Sequence, residues 1–311
     1  MHQEQNKPLI TILGPTASGK TALAVALASK LNGEIVSADS RQVYQGLDLG
    51  SGKDLDEYRL NGQQIPYHLI DVVKAEEDYD VYRFQDDFFD LYRKLEKEGK
   101  WVILCGGSGL YLQAALASEK MLEVPKNEKL RTSLASLSQA ELASYLLKLK
   151  ADQHNTTDLQ DRERSLRAIE IALAQKESPK PVRSPISNYL LFGLKIERIK
   201  LRERIEERLK ARFEQGMIEE VEGLMKGGLS AEKLHYFGLE YRYIAAHLIG
   251  ELNYTEMFEQ LLQAIRKFAK KQETWFRRME RQGAQIHWID ADKTQAEKLK
   301  LILEKIEQHG L

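Results

Sequence analysis

Short apolar runs alternate with amphipathic stretches through the first third of the chain. Leu9-Ile10-Thr11-Ile12-Leu13 is apolar and rich in β-branched residues, which predicts a buried strand, and it stops at Gly14-Pro15. A helix rich in Ala and Leu follows over residues 20–31 and closes at Asn32-Gly33. Glu34-Ile35-Val36-Ser37 reads as a second strand and Tyr67-His68-Leu69-Ile70-Asp71-Val72 as a third. An amphipathic helix over 82–99 leads to a fourth, Trp101-Val102-Ile103-Leu104-Cys105, which ends at Gly106-Gly107. Strands alternating with helices predict parallel βαβ units and a sheet covered on both faces.

The pattern then changes. From residue 120 to 176 the periodicity is helical, with Leu130, Leu134, Leu137, Leu142, Tyr145 and Leu146 recurring at spacings of one face of a helix. Residues 178–185, rich in Pro and Ser, read as a linker. A strand returns at 189–194, charged helices follow over 200–227 and 254–281, and Ile286-His287-Trp288-Ile289 is a last strand before a closing helix at 294–307. The expected fold is therefore α/β, a P-loop NTPase-like parallel sheet flanked by helices with an inserted all-helical domain. The core takes residues 1–118 and 188–311, and the insertion 119–187.

Composition narrows the class without naming it. A chain of 311 residues with 42% hydrophobic and 30% charged residues is an ordinary globular protein. Its net charge of −1 leaves a nucleic-acid surface to a local patch. The lone Cys105 can form no internal disulfide and reads as a small buried hydrophobe. No stretch approaches the roughly 20 apolar residues that span a bilayer, and the polar first residues do not resemble a signal peptide, so a cytoplasmic, monomeric protein is expected. The seven histidines form no H-E-x-x-H, and no Cys/His pair has zinc spacing. His68 reads as a satisfied, partly buried histidine.

Gly14-Pro15-Thr16-Ala17-Ser18-Gly19-Lys20-Thr21 matches G-x-x-x-x-G-K-[ST] between a predicted strand and a predicted helix. Such a loop curls backbone N–H groups around phosphate oxygens, and the helix N-terminus adds its positive dipole. Lys20 would bridge the terminal phosphates and Thr21 would hold Mg²⁺. After the second strand comes Asp39-Ser40-Arg41-Gln42, at the edge of the sheet where doubly wound folds bind ligands. Asp39 there could accept a proton from an attacking group, N-cap a short helix, or reach Mg²⁺ through water. Ser108, after Gly106-Gly107, offers a hydroxyl to a phosphate or nucleotide.

Basic residues cluster at Arg162, Arg164 and Arg167; at Arg198, Arg202, Arg204, Arg208 and Arg212; and between Arg266 and Arg281, where Phe268, Trp275 and Phe276 interleave. Each cluster also holds Glu, so a solvated, salt-bridged face competes with polyanion binding at each.

Taken together and in this order, these segments resemble the tRNA dimethylallyltransferase (isopentenyl-tRNA transferase) family along nearly the whole chain. The resemblance covers residues 14–21, 37–50, Pro66 to Asp71, Gly106 to Leu112, 164–170, 204–208 and 269–277. It departs at Gly238-Leu239-Glu240-Tyr241-Arg242, where the family commonly carries Cys-x-Gly-Tyr-[Lys/Arg] and this chain places a carboxylate, Glu240. The resemblance implies transfer of the dimethylallyl group of dimethylallyl diphosphate to N6 of an adenosine beside the tRNA anticodon, with release of pyrophosphate. It implies Asp39 as the base, with Lys20, Arg208 and Ser108 beside it. It assigns diphosphate to Gly14, Pro15, Thr16, Ala17, Ser18, Gly19, Lys20 and Thr21, and Mg²⁺ to Thr21. It assigns tRNA to Asp39, Ser40, Arg41, Gln42, Ser108, Arg131, Arg164, Arg167, Tyr241 and Arg242, the inserted helices clamping the anticodon loop. An allylic carbon departs readily once charge on the leaving pyrophosphate is neutralised, and the target base must leave its stack to reach such a pocket.

Other classes remain open on the residues alone. A small-molecule or nucleotide kinase could use the same loop and carboxylate. A prenyltransferase acting on AMP or ADP would not need the insertion, and a non-catalytic RNA-binding protein would not need Lys20, Thr21 and Asp39 together.

Overall fold

The computed structural model describes residues 7–117, 120–150, 159–177 and 186–310. The expected linker at 178–185 and part of the helical run, 151–158, lie outside the described residues. The chain forms two compact units, Met1–Leu116 with Ile186–Leu311, and Ala117–Pro185.

In the larger unit β1 (Leu9–Leu13) feeds α1 (Lys20–Leu31), and β2 (Gly33–Ser37) follows. A 3₁₀ turn (Leu55–Tyr58), a small hairpin of β3 (Arg59–Leu60) and β4 (Gln63–Gln64), and the short β5 (Tyr67–His68) come next. Then come α2 (Val81–Lys97), β6 (Trp101–Gly106) and α3 (Gly109–Leu116). The smaller unit contributes α4 (Glu128–Ser133), α5 (Gln139–Leu149) and α6 (Arg162–Glu177). The chain then returns through β7 (Tyr189–Lys195), α7 (Arg198–Glu214), α8 (Met217–Lys226), α9 (Ala231–Phe237), α10 (Leu239–Leu248), α11 (Tyr254–Arg281), β8 (Ile286–Asp290) and α12 (Gln295–Gln308).

The main sheet has the order β5-β2-β6-β1-β7-β8 and every pairing in it is parallel. β1 lies between β6 and β7 and is buried at every position, as a strand covered on both faces requires. Register sets the site. Leu13 pairs with Gly106 and Ser37 with Cys105, so β1, β2 and β6 end level with one another. The loops that leave them meet at one edge, at the reversal of strand order where α/β sheets bind ligands. Cys105 is buried, and burial pushes its thiol up to about 12, the inert small hydrophobe expected.

Several elements differ from the sequence pattern: α9, α10 and the β3–β4 hairpin were not expected, and residues 120–127 of the expected helical run lie outside any helix. The third strand shrinks to Tyr67–His68 because Leu69 (φ 58°) and Asp71 (φ 55°) turn the chain out of the pleat. The helix expected over 200–227 breaks into α7 and α8 at Gly216, whose φ of 99° cannot continue a right-handed helix.

The smaller unit has its own core of Leu134, Leu142, Leu146, Leu166, Ile169 and Ala172. A capping box between Ser138 and Glu141 starts α5.

Candidate active site

The P-loop leaves β1 and passes through Ala17 (φ 59°) and Gly19 (φ 83°) into α1. Lys20 lies back along the loop, its Nζ donating to Pro15 O at 3.2 Å, and burial lowers its pKa while Asp39 and Glu57 partly oppose that. Thr21 follows on the first turn of α1, half-buried. Ser18 Oγ is buried without a hydrogen-bond partner among the described residues.

The loop is held from a distant part of the chain. Gln272 accepts from Thr16 N–H at 2.8 Å and donates to Gly107 O at 2.9 Å, tying the P-loop to the turn after β6. Gln272 is the one polar member of the buried stripe of α11, between Ala269 and Phe276. That break in an apolar stripe was the sequence signal for it, and sequence reasoning missed it. Three residues on, the Trp275 ring lies so close to Gly109 that a Cβ there would stand 2.1 Å from Cδ1, and its Nε1 donates to Gln113 at 2.9 Å. Ser108 sits half-buried between these contacts at the start of α3.

Asp39 lies two residues past the end of β2, half-buried, with Oδ1 accepting from Arg41 N–H at 2.9 Å. No helix starts there, so Asp39 is not a helix cap; its one bonded oxygen closes an Asx turn, which fixes the carboxylate's direction. Ser37 donates to Gln42 Oε1 at 2.8 Å and Gln42 donates to Gly52 O at 2.9 Å, so Gln42 braces the following loop. Arg41 stacks over Tyr236 at 4.8 Å, with Lys233 5.5 Å from the same ring. Tyr236 remains 43% exposed, an aromatic surface under Arg41 that no sequence motif singled out.

Arg208, on α7, reaches the P-loop, donating from Nη1 to Thr16 Oγ1 at 3.4 Å. Its Nη2 is paired with Asp54 at 2.5 Å, which also receives Arg212 Nη2 at 3.0 Å. Neither Asp54 nor the role of Arg212 was read from the sequence. Arg212 occupies the inner stripe of α7 after Leu201, Ile205 and Leu209, a cation where the period calls for an apolar residue.

Two expected tRNA contacts are corrected. Tyr241 is fully buried and its hydroxyl donates to Glu220 at 2.8 Å, while a Cβ on Gly50 would stand 2.6 Å from its ring. It packs the 47–54 loop and presents no surface to RNA. Arg131 is turned inward, donating to Glu170 at 2.7 Å and Glu163 at 2.8 Å, with Glu170 itself buried. It holds the smaller unit together. Arg167 donates to Val124 O and lies 3.3 Å from Glu170, with a third of its side chain exposed. Arg164 and Arg242 are exposed, and Ser40 is half-buried beside Asp39. Elsewhere the salt-bridged reading of the basic clusters holds: Arg204 and Lys200 pair with Asp292, and Arg266 with Glu206. His68 pairs with Glu34 at 2.7 Å, as a satisfied histidine.

A parallel sheet with a P-loop at its carboxyl edge, two cations on that loop and a directed carboxylate two strands away defines a phosphate-handling α/β enzyme. The comparisons narrow that class. A profile of the IPP transferase family matches residues 42–279. The tRNA dimethylallyltransferase 2 of Trichlorobacter lovleyi is 52% identical over 287 residues, 91% of this chain and 92% of that one. The tRNA dimethylallyltransferase 1 of Azobacteroides pseudotrichonymphae is 51% identical over 291 residues, 92% of this chain and 94% of that one. The crystal structure of the full-length tRNA isopentenylpyrophosphate transferase from Bacillus halodurans matches with TM-score 0.70 and 30% identity over 97% of this chain and 98% of that one. A eukaryotic dimethylallyltransferase acting on tRNA, 22% identical over 96% of this chain and 79% of that one with TM-score 0.74, shares the fold. This chain belongs to the IPP transferase family. Among the described residues, no helix is long and apolar enough to cross a membrane.

Proposed function

We propose that this chain transfers the dimethylallyl group of dimethylallyl diphosphate to N6 of an adenosine beside the tRNA anticodon and releases pyrophosphate. The observation that carries the reading is the convergence of the P-loop, Lys20, Arg208 and Asp39 at one sheet edge, in a chain whose relatives bear that activity in their names. The loop amides, Lys20 and Arg208 bind the diphosphate and take up charge as the allylic carbon–oxygen bond breaks. Asp39, one oxygen fixed by Arg41 N–H, holds the adenine amine with the other and accepts its proton as the new carbon–nitrogen bond forms. The proton passes from there to solvent.

Mg²⁺ fits the donors present. The candidate ligands are hard oxygens, the Thr21 hydroxyl first among them. Among the described residues no group of three or more His, Cys, Asp or Glu could hold a metal alone. Its remaining ligands would then be diphosphate oxygens and water, and when bound it would offset charge on the leaving pyrophosphate.

On the RNA side, Arg41 and the exposed Tyr236 ring suit an unstacked base, since single-stranded loops are read by stacking on aromatic and guanidinium planes. Ser40, Ser108 and Arg242 are RNA contacts on this reading, as are Arg164 and Arg167 of the smaller unit, while Gln42, both ends of its amide engaged by Ser37 and Gly52, braces the loop instead. On this reading the chain works as a monomer where tRNA is found, in the cytoplasm.

Incubation with Mg²⁺, labelled dimethylallyl diphosphate and unmodified tRNA tests the reading, with AMP and ATP in parallel. Label is expected in tRNA with wild type, and Asp39→Asn should lose transfer by about 100-fold or more, as removal of a general base does, while still binding dimethylallyl diphosphate. Label in AMP alone would reassign the acceptor, and phosphate moving from ATP would make the protein a kinase.

A further inference from the structure

Arg208 does not face the phosphate loop alone. One edge of its guanidinium, Nη1, is 3.4 Å from Thr16 Oγ1 in the P-loop, and the other, Nη2, is 2.5 Å from Asp54. Asp54 also binds Arg212 Nη2, at 3.0 Å through Oδ2 and 3.3 Å through Oδ1. Arg212 is 7% exposed, and its Nε has no hydrogen-bond partner among the described residues. A buried cation costs several kcal/mol unless it is compensated, and its place in the inner stripe of α7 would suit a leucine. The folding of that helix does not call for it.

The segment carrying Asp54 is fastened at several points. Glu220 accepts from Leu49 N–H at 2.6 Å and Gly50 N–H at 3.2 Å. Gln42 holds Gly52 O, and the buried Lys53 ammonium donates to Tyr44 O at 2.7 Å, with Asp48 and Asp71 beside it. Gly52, at φ 72°, passes so close to the arginines that a Cβ would stand 2.5 Å from Arg212 Nη2 and 2.9 Å from Arg208 Nη2. The loop is shaped to set a carboxylate against both guanidiniums.

Charge decides what this does. Burial disfavours the Asp54 carboxylate, but Arg212 and Arg208 more than offset it and hold its pKa below the usual range. Glu240 and Glu57 also lie in the field of these arginines, and burial raises the pKa of each; Asp54 is the carboxylate that hydrogen-bonds both guanidiniums. One carboxylate shared by two guanidiniums leaves one net positive charge. With Asp54 and Arg208 alone the pair would be neutral, and the phosphate loop would lose its second cation.

We propose that Asp54 and Arg212 are positioning residues for the diphosphate: Asp54 turns the Nη1 edge of Arg208 toward the phosphate loop, and Arg212 offsets the carboxylate so that Arg208 remains a net cation toward the ligand. The inference rests on the diphosphate reading of this site and deepens it.

The test measures pyrophosphate and dimethylallyl diphosphate binding by calorimetry, and steady-state transfer to an anticodon stem-loop, on the full chain. Arg212→Met should weaken pyrophosphate binding by about tenfold, and Arg212→Lys should recover most of it because the charge returns. Asp54→Asn should bind pyrophosphate as well as or better than wild type, yet lower kcat by about tenfold because Arg208 is no longer aimed. Folded Arg212→Met with wild-type affinity would overturn the proposal, as would Asp54→Asn with unchanged or raised kcat. Should Arg212→Met not fold, Asp54→Asn and Arg212→Lys decide it. A wild-type protein that neither binds pyrophosphate nor transfers the label would sink the functional reading itself, a distinguishable result.

Discussion

Asp39 and Asp54 are both carboxylates at turns near the phosphate loop, yet only the first was legible in the sequence. Asp39 lies two residues past its strand and next to residues of a local motif. Asp54 acquires meaning only through Arg208 and Arg212, 154 and 158 positions away, partners that no local pattern joins to it. The same distance hid the ends of Tyr241, which the motif offered to RNA and the fold buried under the 47–54 loop. Gly52 tests how tightly that loop is fitted. Gly52→Ala must place a Cβ in the left-handed region, at a cost of about 1–2 kcal/mol, and push on two guanidiniums as well. A lower melting temperature together with weaker pyrophosphate binding is the expected result. A variant that loses stability but binds pyrophosphate as wild type does would show that the arginines relax independently of the loop.

Among the elements, the core strands and the longest helix were legible, while breaks inside a pattern were not: the helix expected over 200–227 divides at Gly216. The helix expected at 254–281 is α11, started by an Asn253–Glu256 capping box, and the four buried strands expected at 9–13, 34–37, 101–105 and 189–194 are all present. The strand at 67–72 misled because its apolar residues continue past His68 while its backbone does not: Leu69 and Asp71 take positive φ that only tertiary context imposes. α11 also shows how an element far along the chain shapes the site. Its apolar stripe binds it to the core, and the single polar member, Gln272, spends both ends of its amide on Thr16 N–H and Gly107 O. Gln272→Leu keeps the volume and strands both groups, each costing about 1–3 kcal/mol when buried without a partner. Thermal unfolding should fall accordingly, and added pyrophosphate should stabilise the variant less than wild type, because the loop that binds it is no longer braced. An equal pyrophosphate-induced shift in both proteins would confine Gln272 to stability.

At the level of the whole chain, the division into two units makes a separable prediction. The unit Ala117–Pro185 has its own core, centred on Leu142, Leu146 and Ile169, none of them solvent-exposed. The pairing of Arg131 with the buried Glu170, and with Glu163 at the surface, lies within the same unit. The side chains proposed for the diphosphate, by contrast, all lie in the larger unit. Leu142→Ala removes a fully buried side chain from a core of few members, a change that costs about 2–5 kcal/mol. In so small a unit such a loss is a large part of the local stability, so the insertion should open while the sheet and its P-loop stay folded. Hydrogen exchange should then rise in α4, α5 and α6 and stay protected in β1, β6 and β7. Pyrophosphate affinity should remain that of wild type, whereas transfer to tRNA should fall chiefly through a raised KM for the RNA. If pyrophosphate affinity fell in step with transfer, the two units would fold as one cooperative body. If transfer to tRNA were untouched despite an opened insertion, the role given to Arg164 and Arg167 would be wrong and RNA recognition would rest on the larger unit alone.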